Sequence, residues 1–256
     1  MKTSIRLLTA VTFASSLFIA HAQFGRGPSS GPSGPDLSGA MGKLFGEHPA
    51  FAATTDFRTK VGESGTETIV PGKLAFLEGK SRFEMDMTQM KGGQLPPGAA
   101  DQMKQMGMDK MVIVTVPEKK VTYLIYPGLE AYTEIPTTNP DAAKSAAQYD
   151  VKVTELGRET IEGHGCLKNK AEVADKDGKK REFTVWNATD QKKFPLKIES
   201  KEGNTNTVMQ FKDVSFDKPA ASQFEPPAAY KKYDSMMSMM QQEMMKRMGG
   251  GMNMPR

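Results

Sequence analysis

The chain has only one cysteine, Cys166, in 256 residues. A single thiol cannot close an internal disulfide, so we expect a packed core to stabilise the fold. Histidine is also scarce, with only His48 and His164 after residue 22. Residues 41–231 contain no Gly-x-Ser-x-Gly elbow, His-Glu-x-x-His helix or phosphate-binding glycine loop. Few residues can therefore support acid–base or nucleophilic catalysis, and we expect a protein without enzymatic activity and without a cofactor.

Long apolar runs and a strong net charge are missing as well. After residue 22 no stretch approaches the roughly 20 apolar residues that a membrane helix requires, so we expect no membrane span. Removing residues 1–22 would take away two basic residues and no acid, so that the net charge falls from +4 to about +2. A charge of this size gives no electrostatic reason to expect nucleic acid or an anionic membrane as a partner.

The N-terminus has the three parts of a secretory signal peptide. Lys2 and Arg6 precede the apolar run 7–19, and Ala20-His-Ala22 places small residues at the two positions that a signal peptidase reads. We predict cleavage before Gln23, which is not the cysteine that a lipid anchor would need. The expected product is a soluble protein in the periplasm or outside the cell.

Composition divides the chain into four predicted segments. The signal peptide covers residues 1–22. Residues 23–40 are rich in Gly, Pro and Ser and are predicted to be a disordered spacer. Residues 41–231 are predicted to form the folded domain, and residues 232–256 a methionine-rich helix with a flexible tail.

Inside the domain, short β-prone runs alternate with turn residues. Met111–Val116, Val121–Tyr126 and Glu130–Ile135 predict a three-stranded meander. Asp177-Gly178 and Gly203-Asn204 predict hairpin turns. Further predicted strands cover residues 50–59, 73–87, 171–174, 181–186, 194–199 and 207–211. Short helices are predicted at 38–45 and 140–149.

This pattern amounts to roughly nine or ten strands at hairpin spacing, without the alternating long helices of a βαβ fold. Residues 112–116 and 121–126 are apolar on both faces, so this part of the sheet should be covered on both sides. We therefore predict a mostly β fold, a single curved antiparallel sheet or incomplete β-barrel, with a few short helices closing its concave face.

Four motifs in the second half occur in a recognisable order. They are Gly163-His-Gly-Cys166, Phe183-Thr-Val-Trp186 with Asp190, Phe194–Glu199, and Phe224–Tyr230. Over residues 150–233 they resemble a family of exported bacterial proteins described as a domain of unknown function. That family is similar in fold to the periplasmic lipoprotein carriers and lipoprotein-sorting proteins. The resemblance implies an incomplete barrel that binds apolar, lipid-like molecules, and it supplies no catalytic residues.

The 19 methionines are the most unusual feature of the sequence. Residues 234–248 are predicted to form a helix, with a cap at Asp234 and a stop at the glycines that begin with Gly249. At 3.6 residues per turn this helix places five methionines on one stripe. Those five are Met236, Met237, Met240, Met244 and Met248. A second group lies in an insertion rich in Met, Gly and Pro, and it consists of Met85, Met87, Met90, Met103, Met106, Met108 and Met111.

Three interpretations of the methionines remain open. They form a pliable apolar docking face, an adaptable lid over an apolar ligand, or thioether ligands for Cu(I) or Ag(I). The function that we predict is non-catalytic binding of a lipid or other apolar molecule. The alternatives are soft-metal binding by the five-methionine stripe, and a structural or interaction protein whose tail docks on an envelope protein.

Two smaller features have structural explanations. His164 and Cys166 share one face of a predicted strand, but no further metal ligand lies nearby in sequence, so we predict no metal site and a buried, inert thiol. Trp186 is predicted to be an anchor in the core.

Overall fold

The computed structural model describes residues 37, 39–92, 98–137 and 148–249. Within these ranges the chain forms twelve strands and three α-helices. The helices are α1 (Gly39–Lys43), α2 (Ala99–Met106) and α3 (Met236–Gly249). The first six strands are β1 (Ala50–Val61), β2 (Glu67–Leu77), β3 (Lys80–Asp86), β4 (Lys110–Val116), β5 (Val121–Tyr126) and β6 (Ala131–Pro136). The other six are β7 (Tyr149–Ile161), β8 (His164–Asp175), β9 (Lys180–Ala188), β10 (Pro195–Glu202), β11 (Thr205–Ser215) and β12 (Lys231–Tyr233).

All twelve strands belong to one curved sheet. Their order is β12-β6-β5-β4-β3-β2-β1-β11-β10-β9-β8-β7. Every neighbouring pair is antiparallel except β12 with β6, which is parallel. Strand β1 joins the two halves of the sheet because it pairs with β2 on one side and β11 on the other. The prediction of a mostly β fold built on a single antiparallel sheet is confirmed.

The meander and the predicted hairpins are present, but three details differ. The predicted run 73–87 is interrupted at Glu78-Gly79, where both residues have positive φ and turn β2 into β3. Strands β7 and β12 were not predicted. The predicted helix 140–149 falls mainly on residues 138–147, outside the described residues, and Tyr149 is the first residue of β7.

The face of the sheet that carries α1, called the inner face here, holds the largest core cluster. The predicted helix at 38–45 is confirmed by α1. The Phe45 ring, just after α1, lies with its centroid between 4.8 and 6.0 Å from four other phenylalanine rings, which belong to Phe51, Phe76, Phe194 and Phe211. Leu37 and Ala40 are also buried there, so the core includes residues that we assigned to the spacer.

The meander β4–β6 is covered on both faces, as its doubly apolar sequence predicts. On the outer face Phe224 packs in a cluster with Val114 and Tyr123. On the inner face α3 packs on the same strands. Gly107 follows α2, and Gly128 lies in the turn between β5 and β6. Their backbones approach so closely that a Cβ on Gly128 would lie 2.5 Å from the Gly107 carbonyl oxygen. None of the helices in the described ranges is both long enough and apolar enough to cross a bilayer.

Candidate functional site

The inner face of the meander brings together methionines that are far apart in sequence. Six of them share one apolar cluster, which we call the methionine cluster: Met85, Met87, Met108, Met111, Met236 and Met239. Met111 and Met239 are buried, and the other four are partly buried. The cluster also contains the inner-face side chains Ile113, Leu124 and Tyr126. The structure therefore brings together methionines of the insertion and of the C-terminal helix, which are far apart in the sequence.

Strand pairing explains how the insertion delivers its methionines. Met85 of β3 lies directly opposite Met111 of β4 in the antiparallel register. Met87 follows in a short 3₁₀ turn, and its backbone N–H donates to the Asp109 carbonyl at 2.7 Å. The Asp86 carboxylate caps this turn by accepting from the Thr88 N–H at 2.9 Å. Met103 and Met106, in contrast, lie half-buried on α2 and are not members of the cluster.

Helix α3 reaches the inner face because β12 runs parallel to β6 at the edge of the sheet and ends just before it. Its first turn is closed by a reciprocal serine pair. The Ser238 N–H donates to Ser235 Oγ at 3.1 Å, and the Ser235 N–H donates to Ser238 Oγ at 3.2 Å. This is the capping-box arrangement, with serine in the place of glutamate. The described part of the helix extends to Gly249.

The face of α3 that contacts the sheet coincides only in part with the predicted methionine stripe, through Met236. Met239, which lies outside that stripe, is 0% exposed, whereas Met237 is 71% exposed. Met236 and Met240 are half-buried, and the side chains of Met244 and Met248 lie outside the described residues. The difference arises because periodicity finds an apolar stripe without knowing which part of it meets a partner.

Polar contacts accompany the apolar docking of α3. The Tyr126 hydroxyl donates to Met236 Sδ at 3.4 Å, and burial raises the pKa of Tyr126 to about 12, so this group stays a neutral donor. The Tyr233 hydroxyl donates to the Glu243 carboxylate. Lys246 and then Tyr233 lower the pKa of Glu243 through these hydrogen bonds. The carboxylate therefore remains charged beside the cluster at neutral pH.

One polar atom beneath α3 lacks a partner. Thr133 lies on the inner face opposite Leu124 and beside Tyr233 in the sheet. Its hydroxyl is buried, and in the described part of the chain no hydrogen-bonding group meets it. Leaving a buried hydroxyl unpaired costs about 1–3 kcal/mol, so a polar atom brought to this position would be stabilising.

The inner face is thus covered by the protein's own side chains. The Phe45 cluster fills the part next to α1, and the methionine cluster fills the part under α3. A cavity of about 540 Å³ lies elsewhere, along the strands β1, β8, β9 and β10, and its lining mixes polar, apolar and charged side chains, the last including Lys60, Lys170, Glu182 and Glu199. Among the described residues, α3 is the element that packs on the inner face of the meander.

His164 and Cys166 lie two residues apart on β8, as predicted. His164 Nδ1 is 2.7 Å from the Asp190 carboxylate, and this hydrogen bond lowers the pKa of Asp190. The Cys166 thiol donates to the His164 carbonyl at 3.5 Å, and burial raises its pKa. No set of three or more His, Cys, Asp or Glu side chains is arranged to hold a metal ion in the described ranges.

Trp186 is buried in the largest core cluster, as expected of a core anchor. Its indole N–H donates to Glu159 at 2.8 Å. The ammonium groups of Lys197 and Lys168 lie 4.1 and 5.1 Å from the ring centroid. The tryptophan is therefore screened from solvent by charged side chains, and nothing in this arrangement leaves its ring open to a ligand.

Part of the chain matches a known family. The model of the family described as "Domain of unknown function (DUF4412)" matches residues 72–192. This confirms the resemblance to a domain of unknown function and corrects its extent. The match includes the meander, and it ends before the motifs at 194–199 and 224–230. No curated protein matches the chain.

Several solved structures are similar over most of their length. A LolA superfamily protein from Nitrosomonas europaea has a TM-score of 0.41 and 11% identity, covering 73% of this chain and 97% of that one. The lipoprotein LppX of Mycobacterium tuberculosis has a TM-score of 0.37 and 10% identity, covering 68% and 90%. LprF of Mycobacterium bovis has a TM-score of 0.37 and 12% identity, covering 76% and 94%. With scores of this size, function has to be derived from the residues of this chain.

Proposed function

We propose that this protein is exported and binds a lipid or other apolar molecule without catalysis, on the inner face of its meander. Helix α3 acts as a displaceable lid over this binding surface. The observation that carries the proposal is the apolar inner face of β4–β6, which is covered by a helix near the C-terminus rather than by the sheet itself. The apolar surface under such a lid becomes available without unfolding the sheet.

The composition of the lid supports this role. Its buried contacts come from methionines, whose unbranched thioethers adapt to ligands of irregular shape. Of the five α3 methionines with described side chains, Met239 is fully buried and Met237 and Met245 are more than half exposed, so only one side of α3 is held by packing. A helix that is docked through a few side chains has a low free energy of local opening, as lids do.

The unpaired Thr133 hydroxyl narrows the ligand chemistry. A purely apolar ligand would leave this buried hydroxyl unsatisfied, as it is in the closed state. A molecule with a long apolar part and at least one hydrogen-bonding group would satisfy it. We therefore propose an amphiphile, such as a fatty acid or another acyl lipid, as the ligand class.

Native mass spectrometry of the protein, purified from its own envelope without detergent, tests this proposal. The expected result is an added mass of several hundred daltons that is extracted by organic solvent and rebinds to the stripped protein. A second experiment titrates the stripped protein with a fluorescent fatty acid. A polypeptide that carries no extra mass and leaves the probe unbound would contradict the proposal.

A further inference from the structure

Methionines from two distant parts of the chain pack in one cluster under α3, and this has a chemical consequence beyond apolar packing. The methionine cluster holds six sulfur atoms, four of them from β3–β4 and the turns beside these strands and two from α3. Thioether sulfur is a soft ligand, and among biological metals it selects Cu(I) and, by the same chemistry, Ag(I). The cluster offers no imidazole or thiolate that would favour zinc.

We propose that the methionine cluster binds one soft monovalent cation, Cu(I) or Ag(I), between α3 and the β3–β4 hairpin. The ligands come from both sides, with Met236 and Met239 on the helix and Met85, Met87, Met108 and Met111 on the sheet side. The bound ion cross-links the helix to the sheet, so it holds the lid closed. This site differs from the five-methionine stripe, because only Met236 is common to both.

Burial of the cluster suits a soft cation. Met111 and Met239 lie in the interior, where water does not compete for the metal, and the partly buried Met87 and Met108 provide a route from solvent. The Tyr126 hydroxyl donates to Met236 Sδ, which places that sulfur against the sheet rather than in solvent. A thioether sulfur has a second lone pair, so this hydrogen bond leaves it able to coordinate.

One carboxylate lies beside the cluster, and it is shared with a lysine. Burying an isolated charge is expensive unless an opposite charge lies close by. Glu243 lies one turn beyond Met239 on α3, and its carboxylate is bound by Tyr233, itself a member of the same apolar cluster. Lys246 already pairs with this carboxylate, so Glu243 contributes a partial compensation and is not a ligand in the proposal.

The test measures Ag(I) binding by the full chain in chloride-free buffer, with native mass spectrometry for stoichiometry and calorimetry for affinity. All variants carry Cys166→Ser, because a thiol could bind silver independently. Two double variants remove ligands from opposite sides: Met236→Leu with Met239→Leu, and Met85→Leu with Met111→Leu. Leucine keeps the apolar volume, and such exchanges usually cost less than about 1.5 kcal/mol of stability.

We expect one Ag(I) per chain in the Cys166→Ser protein and a loss of more than about 100-fold in affinity in each double variant, since even outer-shell changes cost up to that factor. Met237→Leu with Met245→Leu removes two exposed thioethers from the same helix and should bind silver unchanged. Loss in the helix variant alone would place the metal on the methionine-rich tail and overturn the proposal. Unchanged binding in both cluster variants would overturn it as well. Anaerobic Cu(I) titration of the same variants should follow the same order.

Discussion

Replacing Met239 by alanine should release helix α3 without unfolding the sheet. The side chain of Met239 is fully buried between α3 and the sheet. Truncation of a buried methionine to alanine typically costs about 2–5 kcal/mol of stability. Methionine and alanine are both good helix formers, so the loss reports on docking rather than on helix propensity. Because α3 contacts the sheet through one side only, we expect this cost to fall on the lid.

The size of the effect follows from population shift. A loss of about 2–3 kcal/mol raises the open population by roughly 30-fold to somewhat over 100-fold, since each 1.4 kcal/mol is a factor of ten. The apparent affinity for an apolar ligand is limited by the fraction of molecules in the open state. Met239→Ala should therefore bind a fluorescent fatty acid more tightly, up to the affinity of the permanently open form.

Hydrogen exchange read by mass spectrometry checks the lid directly. Peptides from α3 should lose protection in Met239→Ala, while peptides from β8–β10 keep theirs. Met237→Ala is the matched control, because its side chain is 71% exposed and its loss should change neither exchange nor binding. If the sheet lost protection together with α3, the helix would be an integral part of the fold and the lid hypothesis would be wrong. Unchanged exchange in α3 would refute the packing argument itself.

Three further outcomes follow from particular contacts. The pKa of Glu243 is lowered in the folded protein, so its contribution to docking is complete above its unfolded pKa of about 4.3 and is lost as pH falls through the lower folded value. Helix α3 should therefore lose exchange protection in acid. The variant Glu243→Gln should make this protection less dependent on pH. Gly128→Ala places a Cβ against the Gly107 carbonyl oxygen and should lower the free energy of unfolding, measured in urea, by about 1–3 kcal/mol. Gly165→Ala is the control, because its Cβ would lie at an ordinary van der Waals distance of 3.7 Å from Thr189 Oγ1 and should cause no steric clash. The buried Cys166 thiol, with its raised pKa, should react with an aromatic disulfide reagent at pH 8 only after denaturant is added, and rapid reaction of the native protein would contradict its burial.

Local patterns predicted most of the sheet because they depend on neighbouring residues. The meander β4–β6 has dense β-branched and aromatic runs between turns, and the hairpins at Asp177-Gly178 and Gly203-Asn204 have residues suited to tight turns. Strand β7 escaped prediction because it lies at the edge of the sheet and most of its side chains face solvent, which removes the apolar alternation. Strand β12 has three residues, and its pairing with β6 depends on a partner about 100 positions earlier.

The candidate site was accessible from sequence only in part. Methionine abundance identified the segments that supply the cluster, whereas the predicted cap, Asp234, lies one residue before the observed cap, Ser235. The choice of Met239 over Met237 as the buried residue depends on how α3 sits on β6 and β12, and no periodicity within the helix contains that information.

The sequence by itself determined the compositional class, the strand-and-turn rhythm and the doubly covered meander, because these follow from side-chain polarity and backbone preference over a few residues. Only the tertiary structure decided that methionines of the two groups share one cluster, that α3 covers the inner face of the meander, and that Thr133 is left unpaired beneath it. Each of these depends on long-range pairing. The sheet brings residues more than 100 positions apart to one face, and this geometry is set by the whole fold and not by any segment of it.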